Sequence, residues 1–192
     1  KYFEDEFSLP INQRDEATLT NVLALIGILK EFNLSNLQIK EKIDALKAIE
    51  MRLESIEGIR NNLIINDSYN LDLDSLKIAF QFIGEYNKPK KSLILTDILD
   101  SNENSEELYS EVSELVNEQK FNKVFLIGEE ISNFHELFTS ETYTFNNTIQ
   151  FINSKVISEI ENQVILLKGA RKFEIEKIKE ILELRKHDTV LE

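Results

Sequence analysis

Asn66-Asp67-Ser68-Tyr69-Asn70 stands between the apolar run Leu63-Ile64-Ile65 and the helically spaced Leu73, Leu76, Ala79, Phe80, Phe82 and Ile83. A carboxylate at the end of a strand can accept hydrogen bonds from ribose hydroxyls or from a lysine, and the Asn70 amide both donates and accepts. The same residues also make an Asx turn closing a strand-to-helix connection, and spacing alone favours the turn. A second group, Lys168-Gly169-Ala170-Arg171, follows the apolar run Val164–Leu167. Gly169 permits a tight turn, and backbone N–H groups at a helix start, with Lys168 and Arg171, make an anion site. Two solvated cations flanking a turn fit the same spacing.

Other residues say less. Arg52, between Met51 and Leu53, reads as an exposed strand residue pairing with Glu50 or Glu54, and Asn21 as an interruption on the polar side of a helix. His135 and His187 have no partners at ligand spacing, so no metal site is read. Tyr143, Phe145 and Phe151 read as core. Neither GxxxxGK[ST] nor GxGxxG occurs, and Gly128-Glu129-Glu130 offers one glycine only.

The elements that must carry these residues follow from periodicity. Leu19, Val22, Leu23, Ile26, Leu29 and Phe32 form a helical face after Asp15, a candidate cap. Ser35 opens a second helix, with Gln38 placed for a capping box and Leu37, Ile39, Ile43 and Leu46 as its apolar positions. A short strand at Phe7-Ser8-Leu9 is also read. From about residue 48 the pattern alternates. Strands are read at 62–66, 92–96, 123–127, 142–145 and 163–167, and helices at about 73–86, 105–119, 148–160 and 171–184. Such alternation predicts parallel βαβ units. The continuous runs Leu93-Ile94-Leu95 and Val124-Phe125-Leu126-Ile127 predict strands covered on both faces. The expected fold is therefore α/β, a Rossmann-like, mostly parallel sheet flanked by helices. In such folds ligands bind at the carboxyl edge of the sheet.

The 192 residues, 42% of them hydrophobic, suffice for one domain plus a short extra segment. The net charge of −13 argues against duplex nucleic acid as a partner but leaves room for a local basic site. Cysteine is absent, and no apolar run is long enough to span a membrane. The chain opens on Lys1-Tyr2-Phe3 without an initiator Met, which reads as a start inside a longer protein.

Met51-Arg52-Leu53-Glu54, Ile65-Asn66-Asp67-Ser68-Tyr69-Asn70 and Asp74-Ser75-Leu76 together resemble the opening of the C-terminal domain of Mur ligases, in their MurF-type branch. That branch usually has Asp-Ser-Tyr-Asn-Ala-Asn-Pro-Asp-Ser, and Leu71-Asp72-Leu73 stands here in place of Ala-Asn-Pro. Lys168-Gly169-Ala170-Arg171 resembles the family's Lys-Gly-Ser-Arg. Asn21-Val22-Leu23-Ala24 resembles the Asn-Ala-Leu-Ala that ends the central ATPase domain, with Ala17 and Thr18 where the family has His-Asn. The stretch from Lys168 to Glu192 resembles a form fused to an alanine racemase, with Thr189–Glu192 as the next domain's first strand.

The resemblance implies residues 1–47 as a helical remnant of the ATPase domain, 48–186 as the C-terminal domain, and 187–192 as a linker into a racemase domain. It implies an ATP-dependent, cytoplasmic amide ligase of peptidoglycan synthesis that joins UDP-MurNAc-tripeptide and D-Ala-D-Ala through an acyl phosphate. ATP and Mg2+ are its implied cofactors, with metal ligands upstream, and pyridoxal phosphate belongs only to the implied racemase. Asn21 would lie near adenine, Arg52 and Asp67 at the ATP ribose or phosphates, and Tyr69, Asn70 and Ser75 around that loop. Lys168 and Arg171 would face the dipeptide or the developing phosphate charge. By itself the chain is expected to be inactive. The alternative is a non-catalytic α/β binding or linker module, and the discriminating feature is whether Arg52, Asp67 and Lys168 converge.

Overall fold

Along four of the buried strands, successive apolar side chains enter two different cores. Ile65, Leu93, Leu95, Val124, Leu126, Val164 and Leu166 join one cluster, while Ile64, Ile94, Phe125, Ile127, Ile165 and Leu167 join the other. This is the period-two alternation of a sheet with helices on both sides. The computed structural model describes residues 16–45, 52–99, 101 and 104–184. The expected strand at residues 7–9, the Asp15 cap, Leu46 and the segment 187–192 lie outside them. The chain divides into two compact units, Lys1–Ala48 and Ile49–Glu192.

In the first unit, α1 (Glu16–Glu31) and α2 (Asn36–Asp44) pack Val22, Leu25, Ile26 and Leu29 against Ile39 and Ile43. The capping box is formed as the sequence predicts. Gln38 N–H donates to Ser35 Oγ at 3.3 Å, and Ser35 N–H to Gln38 Oε1 at 2.9 Å. Leu19, Leu23, Phe32 and Leu37 remain exposed.

Among the described residues the second unit holds six strands in the order β1-β2-β6-β3-β4-β5. They are β1 (Glu54–Gly58), β2 (Asn62–Asp67), β3 (Lys90–Thr96), β4 (Lys123–Ile127), β5 (Glu141–Phe145) and β6 (Gln163–Lys168). β1 is antiparallel to β2, and every other pair is parallel. α3 (Leu73–Gly84) and α4 (Ser105–Glu118) cover one face; α6 (Thr148–Ile152) and α7 (Glu176–Leu182) cover the other. A short α5 (Glu129–Ser132) follows β4. Connections running outward from β2 to β4 cross the α3/α4 face, and the return from β5 to β6 crosses the opposite face. Right-handed crossovers require that exchange of faces when the direction reverses.

Three expectations change. The helix expected over 148–160 ends at Ile152 and resumes as a 3-10 stretch, Lys155–Glu159. Between them Asn153 and Ser154 interrupt, Ser154 Oγ donating to Phe151 O, a local bond that competes with the helix ladder. The helix expected from 171 opens as a 3-10 turn, Arg171–Phe173, and is broken by Glu174 at φ +50° before α7. Arg52 is not in a strand. It occupies a bend before β1, followed by Leu53 at φ +48°.

Candidate functional site

β6 lies between β2 and β3, and it alone of the three sends its chain to the α7 face. Adjacent strands whose chains leave to opposite faces open a crevice at the carboxyl edge, the usual ligand position in such sheets. Asp67 ends β2, Lys168 ends β6 and Thr96 ends β3 at this crest.

The register places Asp67 beside Lys168 and Lys168 beside Leu95. Lys168 Nζ lies 2.8 Å from Asp67 Oδ2 and donates to Asn70 O at 2.7 Å. The lysine is 1% exposed and the aspartate 8%. Burial pushes the Asp67 carboxyl above its ordinary 3.8; Lys168, a bond from the Leu53 backbone and the nearby Arg52 charge pull the other way. The Arg52 guanidinium sits 4.9 Å from the Tyr69 ring centre, over a ring that is 44% exposed. Arg52, Asp67, Tyr69, Asn70 and Lys168 thus meet at one crest.

The remaining expected residues behave differently. Ser75 closes a capping box with Asp72 at the start of α3: Ser75 N–H donates to Asp72 Oδ1 at 2.7 Å and Asp72 N–H to Ser75 Oγ at 3.1 Å. Asn70 Nδ2 donates to Asp72 Oδ2 at 2.9 Å, so Ser75 and the Asn70 amide shape the loop. Arg171 is exposed on its 3-10 turn, whereas Lys168 points its ammonium inward rather than to solvent. Asn21 is exposed on α1, in the other unit. Among the described residues no group of three or more His, Cys, Asp or Glu side chains is placed to hold a metal ion.

Thr96 and Asp97 belong to the crest and were not singled out from the sequence. Ala170 N–H donates to Thr96 Oγ1 at 3.0 Å, and Ile131 N–H to Asp97 Oδ1 at 2.8 Å. A polar pair directly after the run Leu93-Ile94-Leu95 was the available signal. Burial raises the Asp97 carboxyl above 3.8, with Glu130 and Glu129 adding to the rise. A raised folded-state value means the protonated form is favoured by folding, so this contribution is present below 3.8 and is lost as pH climbs through the raised value. Asp97→Asn keeps an acceptor for Ile131 and removes the buried charge. Its melting temperature relative to the parent is therefore expected to be higher at neutral pH than near pH 3.8, as thermal melts at several pH values would show.

No family model matches the chain. Over 142 residues it is 32% identical to the UDP-N-acetylmuramoyl-tripeptide–D-alanyl-D-alanine ligase of Buchnera aphidicola subsp. Acyrthosiphon pisum, covering 70% of the chain and 30% of the relative. The corresponding ligase of Bacillus subtilis is 29% identical over 130 residues, covering 67% of the chain and 28% of the relative. The chain thus spans about a third of the length of these relatives. Among solved structures, the MurF ligase of Thermotoga maritima in complex with ADP matches with TM-score 0.69 at 18% identity, over 88% of the chain and 38% of that protein. This likeness, at its low identity, speaks to the fold.

Proposed function

Because the chain carries a C-terminal Mur ligase region, we propose that it supplies the closing domain of an ATP-dependent ligase that joins D-Ala-D-Ala to UDP-MurNAc-tripeptide. The observation that carries this reading is the convergence of Arg52, Asp67 and Lys168 on the switch-point crest. A non-catalytic linker module has no need to gather them there. ATP transfers its γ-phosphoryl group to the tripeptide carboxylate, releasing ADP, and the dipeptide amine then attacks the acyl phosphate and expels phosphate as the amide forms.

In this reading Arg52 and the half-exposed Tyr69 face the nucleotide, and Arg171 is the exposed cation nearest the end of β6. A guanidinium on a preformed ledge fits polyphosphate oxygens, since its planar fork offers paired donors. Closure of the crest over a nucleotide-bearing domain would orient the reactants and exclude water. In this reading most Mg2+ ligands lie upstream of the chain, as does the bulk of the nucleotide site. The place of action is the cytoplasm, where UDP-linked precursors and ATP are available.

The test is phosphate release by the full-length protein bearing this chain, given ATP, magnesium, UDP-MurNAc-tripeptide and D-Ala-D-Ala. Release that requires both acceptor and dipeptide supports the ligase. Absence of release from a folded protein that binds ATP returns the linker module. Residues 1–192 alone are expected to release no phosphate under the same conditions.

A further inference from the structure

After α7 the chain turns back along the open side of β1. Ile59 N–H donates to Leu182 O at 2.7 Å and Leu184 N–H to Glu57 O at 2.9 Å, with Gly58 and Glu183 bridged antiparallel between them. Gly58 suits this close return, since a Cβ on it would stand 3.0 Å from Leu182 O. On its other side β1 pairs with β2.

The bridge fixes a register. Continued past Leu184, it sets Arg185 opposite Ile56, Lys186 opposite Ser55 and His187 opposite Glu54. Glu57 accepts on the open side, so the alternation of an antiparallel ladder turns the N–H and C=O of Ser55 to that side as well. The ladder also has an end: β1 begins at Glu54, and Leu53, at φ +48°, leaves the strand conformation. The two faces of β1 are known. Ile56 packs into the α7-side core, while the Ser55 hydroxyl lies 2.7 Å from that of Tyr86, which packs on the α3 side. Glu54 therefore shares a face with Arg185 and Glu57 shares one with Lys186, each pair one diagonal step apart and within reach of a long side chain.

We propose that the open edge of β1 is a strand-pairing site whose occupant is the chain's own segment 184–187, held by backbone bonds to Glu57 and Ser55 and by Arg185 and Lys186 against Glu54 and Glu57. Residues 185–187 lie outside the described residues. Continuity with the Gly58–Glu183 bridge, and the match of two cations to two carboxylates, select them over a second copy of the chain or a foreign peptide. The segment closes an edge that would otherwise offer its N–H and C=O groups to other chains. It runs toward the end of the sheet where Asp67 and Lys168 stand, and so delivers Asp188 there. None of this depends on the ligase reading.

The test uses the 192-residue chain, which has no cysteine. In Glu54→Cys/His187→Cys the two side chains stand at a pair without direct backbone bonds, the closer of the two antiparallel spacings and one that suits a disulfide. Mild oxidation is expected to cross-link them within one chain, seen as a faster-migrating monomer on non-reducing gels. Glu54→Cys/Asp188→Cys moves the second thiol to the opposite face and is expected to cross-link about tenfold more slowly. Equal rates for the two variants, or no cross-linked monomer, overturn the proposal. Disulfide-linked dimers as the main product assign the edge to a second copy and overturn it too.

Amide exchange followed by NMR reads the same ladder without new cysteines. Ser55 N–H is expected to be protected in the parent. Lys186→Pro, which deletes the donor to Ser55 O, is expected to reduce that protection about tenfold, the scale of one hydrogen bond. Thr189→Pro, beyond the ladder, is expected to leave it at the parent's value. A Ser55 amide that exchanges freely in the parent, or that responds alike to both prolines, overturns the proposal.

Discussion

Lys168→Met is expected to destabilise the second unit by about 3–5 kcal/mol, the usual cost of removing one partner from a buried ion pair. The lysine is 1% exposed, and its loss leaves the buried Asp67 carboxylate without its cation and the Asn70 carbonyl without the Lys168 donor. Methionine fills similar volume, so the effect measures charge and hydrogen bonding rather than a cavity. The stranded carboxyl, already raised by burial, would rise further. The deficit is therefore expected to shrink as pH falls and Asp67 takes up a proton. Asp67→Asn/Lys168→Met is expected to recover much of the loss, because it buries no charge at all. Urea unfolding followed by near-ultraviolet circular dichroism reads this, since Tyr69, Tyr86, Tyr109 and Tyr143 all lie in the second unit. A single variant with the parent's stability would show that the pair contributes nothing.

Gly128→Ala carries the second large effect. Gly128 has φ +142° and ψ 153°, a region in which L side chains are strained, and its N–H donates to Phe145 O at 2.8 Å. A Cβ built there overlaps the Asp97 carboxylate, which is itself held by Ile131 N–H. Strain and overpacking together suggest a loss of about 3 kcal/mol. Gly84 is the internal contrast. It ends α3, a Cβ there meets nothing within 4 Å, and Gly84→Ala is expected to be neutral or stabilising by about 0.5–1 kcal/mol. Equal stabilities for the two alanine variants would refute the account of the Gly128 turn. The glycine after β4 thus answers a backbone demand and a close carboxylate.

The sheet was legible in the sequence where apolar runs were continuous. Leu93–Leu95 and Val124–Ile127 read as doubly covered strands because both alternating faces needed apolar residues, and both faces are covered. The Ser35–Gln38 box was legible because its two bonds are local. Strand order was not. Val164–Leu167 looks like any other buried run, and nothing in its composition says that it inserts between β2 and β3. The direction of β1 was hidden for the same reason.

At the crest, residue types were readable and their partners were not. Lys168 reads equally as an anion-binding or a solvated cation, and neither reading points to Asn70, 98 positions earlier in the chain, to which the fold brings it. Arg52 reads as a strand residue because alternation continues through it, and the left-handed turn at Leu53 carries no glycine to announce it. Ser75 resembled a site residue by motif, and its bonds are those of a helix cap.

The insertion of β6 between β2 and β3 also sets an order of events during synthesis. β2 and β3 leave the ribosome early and are not neighbours in the native sheet, because β6, the strand that joins them, is made after β3, β4 and β5. Until residue 168 has emerged, β2 has β1 alone as a partner, and its other edge offers unpaired N–H and C=O groups. The second unit is therefore expected to acquire its native sheet only after release of β6, and to do so slowly, since its central pairings join distant parts of the chain. The nascent protein would depend in that interval on whatever shields an open strand edge, and the ion pair at the crest would be among the last contacts to form.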